Sequence, residues 1–190
     1  MSTFTLHTTE TAPAAAKEQL AGIEKAWGFV PNLHRTLAES PVTLEAYNAL
    51  FGLFGKSSFT PPEQQVVYLA INVVNECEYC TSGHSVLAKM AGLDAETISA
   101  LRDNRPLSTP RLEVLRRFAE AVVHERGFVG DAAVDSFLRA GFTKAQVLEV
   151  VLAVATKTLS NYVNHITHTP LDAFMAETRW VAPRNKANAA

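Results

Sequence analysis

Residues 60–84 read TPPEQQVVYLAINVVNECEYCTSGH, and this stretch decides the fold class. Thr60 offers a hydroxyl cap ahead of Pro61, where a missing N–H costs nothing, and Thr60-x-x-Glu63 has the form of a capping box. Val66, Val67, Leu69, Ala70, Ile71, Val73 and Val74 then cover most of the circumference of a helix over 60–75, which marks it as central. A second helix over 76–91 is predicted to open with Asn75 as its N-cap and Glu78 at the third helical position. Cys77 then falls in the first turn. Spacings of three and four residues put Cys77, Cys80 and His84 on one helical face.

The same punctuation runs through the rest of the chain. Ser40-Pro41 and Thr109-Pro110 repeat the cap-then-proline pattern, Thr143-x-x-Gln146 repeats the capping box, and Asp94 and Asp131 read as caps of shorter helices. Gly28, Gly92, Gly127 and Gly141 fall just past periodic segments, where a left-handed residue ends a helix. The expected helices are 14–27, 31–39, 41–55, 60–75, 76–91, 94–103, 109–126, 131–140, 143–168 and 171–179. Strand signals are nearly absent, so the class is all-α. The run from Val147 to Val154 marks a second central helix, with Glu149 inside it as a candidate buried carboxylate. The organisation expected is a helical arm over 1–39, a multihelical bundle over 40–180 and a polar, mobile tail over 181–190.

Composition narrows the function classes. The chain has 190 residues, 47% apolar and 19% charged, with a formal net charge of −2. A basic footprint for nucleic acid or anionic lipid is missing, and no apolar run approaches the roughly 18 residues of a membrane span. The start, MSTFTLHTTE, lacks a cationic segment followed by an apolar one, so a cytoplasmic protein is expected. Two cysteines three residues apart exclude a disulfide framework and leave redox or metal chemistry.

A helix N-terminus together with a nearby imidazolium lowers a thiol pKa from about 8.5 into the range of roughly 3.5 to 7.5, and a second cysteine one turn away resolves a sulfenic acid to a disulfide. Two other readings of the same residues stand beside this one. The cysteines are small apolar fillers of a buried helix, or Cys77, Cys80 and His84 ligate zinc with His165 or His168 as the fourth ligand. His7 lies in a polar N-terminus, and His34 and His124, among charged neighbours, read as surface residues. The segment Asn161 to His168 is unusually polar for the end of a buried helix and reads as a hydrogen-bonded core patch or an interface ahead of a catalytic element.

On the run Glu63 to Ala70, on Asn75-Glu76-Cys77-Glu78-Tyr79-Cys80 with His84, and on Ala140-Gly141-Phe142-Thr143 and Leu159 to His165, the chain resembles the carboxymuconolactone decarboxylase and AhpD-like alkylhydroperoxidase superfamily, in its peroxidase-related branch. The likeness covers roughly residues 40–175. It implies an AhpD-like multihelical bundle that assembles as a homotrimer or a dimer of trimers. The implied activity is reduction of a small hydroperoxide by a dithiol cycle, with a thiol or protein disulfide as electron donor and no haem, flavin or other cofactor. Family alkylhydroperoxidases carry Glu twelve residues before the first cysteine and His just before the second. Gln65 and Tyr79 stand at those positions here, so the carboxylate step of the proton relay passes to Glu63, to Glu149 or to His84 and water. Helix position favours Cys77 as the low-pKa thiol, whereas the family mechanism and the distance to His84 favour Cys80 as the attacking residue, with Cys77 resolving. The catalytic set expected is Cys80, Cys77, His84, Gln65 and Tyr79. The apolar block Leu50, Phe51, Leu53 and Phe54 points to a contact between copies.

Overall fold

Two capping boxes anchor the two helices around which the chain is built. Thr60 Oγ1 accepts from the Glu63 amide and Glu63 Oε2 accepts from the Thr60 amide at 3.0 Å, while Thr143 and Gln146 exchange the same pair of bonds at 3.2 and 2.9 Å. Each cap is worth about 1 kcal/mol and fixes where its helix begins. The structure, a computed structural model, describes residues 4–186. Its helices are α1 (Ala14–Trp27), α2 (Asn32–Leu37), α3 (Pro41–Gly55), α4 (Pro61–Val74), α5 (Glu78–Met90), α6 (Ala95–Arg102), α7 (Pro110–His124), α8 (Gly130–Arg139), α9 (Lys144–Thr167), a 3-10 turn (Ala173–Thr178) and α10 (Pro183–Lys186). The described residues contain no strand.

α4 lies at the centre, packed on α5, α7 and α9, with Val66 to Val73 buried on every side. One core joins these residues to Leu101, Leu115, Phe118, Phe137 and Phe142. A second joins α1, α2 and α3 to the cysteines, through Leu20, Leu33, Leu37, Leu44, Tyr47 and Met175. The N-terminal arm is therefore the roof over the sulfur pair. α9 is central along one face alone: Val150 and Ala153 are buried, but Leu148, Val151, Tyr162 and Ile166 are exposed.

Four details depart from expectation. Asn75 ends α4 instead of starting α5. Glu76 takes a left-handed turn (φ 52°), the Cys77 amide closes back onto the Asn72 carbonyl at 2.9 Å, and Cys77 itself becomes the N-cap of α5. α8 begins one residue before Asp131, so Val129 holds the cap position. His34 is buried, 7% exposed, because α2 folds inward against Tyr47. The segment expected as a mobile tail is docked as far as it is described, while residues 187–190 lie outside the described residues. Trp180 donates its amide to Ser82 and its indole N–H to the Arg102 carbonyl, the Ala182 amide and Asn185 both donate to Glu78 Oε1, and Arg184 pairs with Glu76. Glu78 in the first turn of α5 and Glu76 just before it hold residues 182–185.

Candidate active site

Cys80 is the third residue of α5, in the first turn, where the free backbone N–H groups favour a negative charge. Both cysteines are buried free thiols. Three groups on one face of α9 meet them from across the core. Asn164 Nδ2 donates to Cys80 Sγ at 3.2 Å and stands 3.9 Å from Cys77 Sγ, Ser160 Oγ lies 3.8 Å from Cys80 Sγ, and Lys157 sits beside them, fully buried. Burial alone pushes the Cys80 thiol up, but hydrogen bonding from Cys77, the Lys157 charge and the Ser160 hydroxyl outweigh it and bring Cys80 down to about 5. Cys77 moves the other way, raised by burial and by the neighbouring Cys80. The pair is thus split into one thiolate and one thiol.

Lys157 was not among the residues singled out from the sequence. Its Nζ is 3.0 Å from His84 Nε2 and 5.2 Å from the centre of the Tyr68 ring. A buried ammonium costs several kcal/mol unless a counter-charge is close, and the Cys80 thiolate supplies one. His84 lies on the far side, with Nδ1 2.8 Å from Gln65 Oε1. Burial, and then Lys157, hold the His84 pKa well below its usual value. The imidazole is therefore neutral, with its proton on Nδ1 donated to Gln65 and its Nε2 lone pair accepting from Lys157. This corrects the expectation of an imidazolium beside the thiol: the cation is Lys157, and Gln65 fixes the tautomer of the ring that holds it.

Tyr79 does not offer its hydroxyl to the site. The phenol donates to Asp172 and accepts from the Leu33 amide at 3.1 Å, while Asp172 also accepts from the Asn32 amide, so Tyr79 ties α5 to the arm and to the segment after α9. Neither carboxylate expected to replace a Glu at position 65 is free to do so. Glu63 is held by Thr60 and Arg111, and Glu149 accepts from the Ser58 amide and hydroxyl, which accounts for a carboxylate inside an apolar run. The zinc arrangement also finds no support in the geometry: both ring nitrogens of His84 are engaged, His168 is exposed in a left-handed turn, and no group of three or more metal-binding side chains converges among the described residues.

A pocket leads from the surface to Cys80. It encloses about 460 Å³ counted out to its open mouth and is walled mostly by apolar and aromatic side chains, including Trp27, Leu33, Tyr47, Phe51, Phe174 and Met175. Met175 from the 3-10 turn fills the space a side chain at position 83 would take: a Cβ on Gly83 would stand 2.9 Å from Met175 Cε. On the opposite side of the pair, Cys77 borders a polar groove with Glu76, Asn164, His165 and Arg184.

Residues 41–121, which hold α4, α5 and both cysteines, match the model of the carboxymuconolactone decarboxylase family. Over that part the chain is similar to the carboxymuconolactone decarboxylase family. Solved structures agree on the fold. The chain is similar to a peroxidase-related protein with an alkylhydroperoxidase AhpD core from Ralstonia eutropha JMP134 (TM-score 0.83, 20% identity, 92% of this chain and 94% of that one). It is also similar to a peroxidase-related protein from Silicibacter sp. TM1040 (TM-score 0.78, 18% identity, 94% and 96%). A third similar structure is a cysteine-to-alanine variant of the debrominase Bmp8 in complex with 2,3,4-tribromopyrrole (TM-score 0.76, 17% identity, 94% and 97%). At these identities the likeness concerns the AhpD-like fold alone. A comparison with curated proteins finds no match. No helix among the described residues is long and apolar enough to cross a membrane.

Proposed function

We propose that the protein is a thiol-dependent hydroperoxide reductase that cycles Cys77 and Cys80 between dithiol and disulfide. The observation that carries this reading is the Lys157 cation buried against Cys80, at the floor of an apolar pocket, with a second thiol in hydrogen-bonding contact. The Cys80 thiolate attacks the terminal oxygen of the hydroperoxide and the O–O bond breaks. Cys80 becomes a sulfenic acid, and the departing alkoxide takes a proton from Lys157 and leaves as the alcohol. The Cys77 thiol then attacks Cys80 Sγ; the S–S bond forms, the S–O bond breaks, and the hydroxyl departs with the Cys77 proton as water.

Two thiols of an external donor, or one protein dithiol, return two electrons and two protons. The first thiolate attacks Cys77, since Cys80, with its low pKa, is the better leaving group. The second thiol releases the mixed disulfide, and the protons return to Cys77 and Lys157. His84 holds Lys157 in line and Gln65 holds His84.

The assembly is a homotrimer or a dimer of trimers in the same proposal. Exposed Val42 and Leu53 on α3 and Leu148, Val151, Tyr162 and Ile166 on α9, two helices packed on each other, supply an apolar face suited to it. Peroxide consumption measured with several thiol donors tests the activity. Turnover lost in Cys80→Ser is the expected result, and absence of consumption with every donor overturns the proposal.

A further inference from the structure

The half of the pocket farthest from the core is contributed by the arm and the 3-10 turn, outside residues 41–121. Trp27 and Phe174 stand at its mouth, 41% and 40% exposed, and Phe29, 38% exposed, lies beside them outside the lining: Trp27 is 6.4 Å from Phe29 and 6.3 Å from Phe51, and Phe29 is 5.2 Å from Phe174. Aromatic side chains left open to water around a concave site form a cradle for a flat apolar body. One polar group interrupts it. His34 lines the pocket between Trp27 and Tyr47, at ring distances of 6.0 and 5.4 Å, and its Nδ1 is buried with no hydrogen-bond partner.

A buried polar atom without a partner is destabilising, and a protein surrounds it with aromatic rings at a cost unless something arrives to pair with it. Burial lowers the His34 pKa to about 4, so the ring is neutral at physiological pH and carries one lone pair. An unpaired lone pair is tolerated more readily than an unpaired N–H, which places the proton on Nε2 and leaves Nδ1 as an acceptor. We propose that this vestibule selects a planar aromatic molecule bearing an O–H or N–H donor, with His34 Nδ1 as the acceptor. Resting on the function proposed above, the inference makes the substrate an aromatic hydroperoxide with such a ring substituent.

Phenol, toluene and cyclohexanol are the probes: the first two share a shape and differ in the donor, and the first and third share the hydroxyl and differ in the ring. Chemical-shift titration of the full chain gives both the affinity of each and its location, read at the Trp27 indole N–H. Phenol is expected to bind about five-fold more tightly than toluene, as one net hydrogen bond allows, and more tightly than cyclohexanol. In His34→Phe the phenol affinity is expected to fall to that of toluene while toluene is unchanged. Equal affinities of the unmodified protein for phenol and toluene, or shifts that map elsewhere, overturn the proposal without need of the variant. The measurement involves no turnover. A protein that binds phenol selectively but consumes no hydroperoxide refutes the activity alone, and one that consumes hydroperoxides but ignores the probes refutes the vestibule alone.

Discussion

Lys157 Nζ lies 3.0 Å from His84 Nε2, so the fully buried lysine of α9 and the histidine one turn beyond Cys80 form a single unit in which the lysine is the donor and the imidazole the acceptor. It sets the lysine charge that, after the hydrogen bond from Cys77, does most to lower the Cys80 thiol.

Replacing Lys157 by Met keeps the volume and removes the charge. The pH midpoint of Cys80 alkylation is expected near 5 in the unmodified protein, with a flat rate from pH 6 to 8, and above 8 in the variant. The rate at pH 7 should then fall at least ten-fold. Cys80 can protonate once its partner is gone, leaving no buried charge, so the melting temperature should be unchanged or higher. An alkylation profile that does not move removes Lys157 from the mechanism.

Mild peroxide treatment should give an intramolecular Cys77–Cys80 disulfide, seen by mass spectrometry as the loss of two protons with alkylation blocked at both positions. Cys77→Ser should still react once at Cys80 and then proceed to sulfinic acid. A stable sulfinic acid in the unmodified protein would count against a resolving pair.

His84 should not titrate between pH 5 and 8, since its folded pKa is depressed by burial and by Lys157. Gln65→Glu places a carboxylate at Nδ1, which favours the protonated ring and should bring a His84 titration into the range followed by NMR. A His84 resonance that already titrates near 6.5 in the unmodified protein contradicts the neutral tautomer.

Tyr79→Phe should lower stability by about 1–3 kcal/mol, because Asp172 and the Leu33 amide lose their shared partner. The alkylation midpoint of Cys80 should stay where it is. Thermal unfolding and the pH profile together separate this tying role from a chemical one.

Light scattering coupled to size exclusion should give a homo-oligomer, and Leu148→Glu with Ile166→Glu should shift it toward monomer while circular dichroism stays the same. The block read from the sequence divides here: Phe54 is buried and Phe51 stacks on Tyr68, while Leu53 faces out. A monodisperse monomer of the unmodified chain at micromolar concentration contradicts the assembly.

The helices were legible because their ends are chemically explicit. Thr60, Asp94 and Thr143 cap the helices they were expected to cap, and Gly28, Gly92, Gly127 and Gly141 take positive φ where helices stop. The start of α5 was misplaced by two residues because Asn75 is a good N-cap in isolation, whereas its side chain is engaged by Asn161, 86 residues away. Lys157 was invisible for a related reason: a single lysine in a helix reads as solvent-facing by default. The available signal was its spacing. Lys157, Ser160, Asn161 and Asn164 recur at three and four residues, a polar stripe on the face of α9 that turns inward. His34 looked exposed because its charged neighbour Arg35 does reach outward along the arm, to the carbonyls of Leu6 and His7.

Two of the groups that act on Cys80 arrive late along the chain: Lys157 is 73 residues beyond His84, and Asn164 is 84 beyond Cys80. During synthesis both thiols leave the ribosome well before α9 exists, and a cysteine without the lysine is an ordinary, largely protonated thiol that oxidants meet slowly. The proposed function then implies that reactivity is switched on by the completion of folding. Under the proposed cycle, nascent and unfolded chains are thereby spared the oxidation that the folded protein undergoes in turnover.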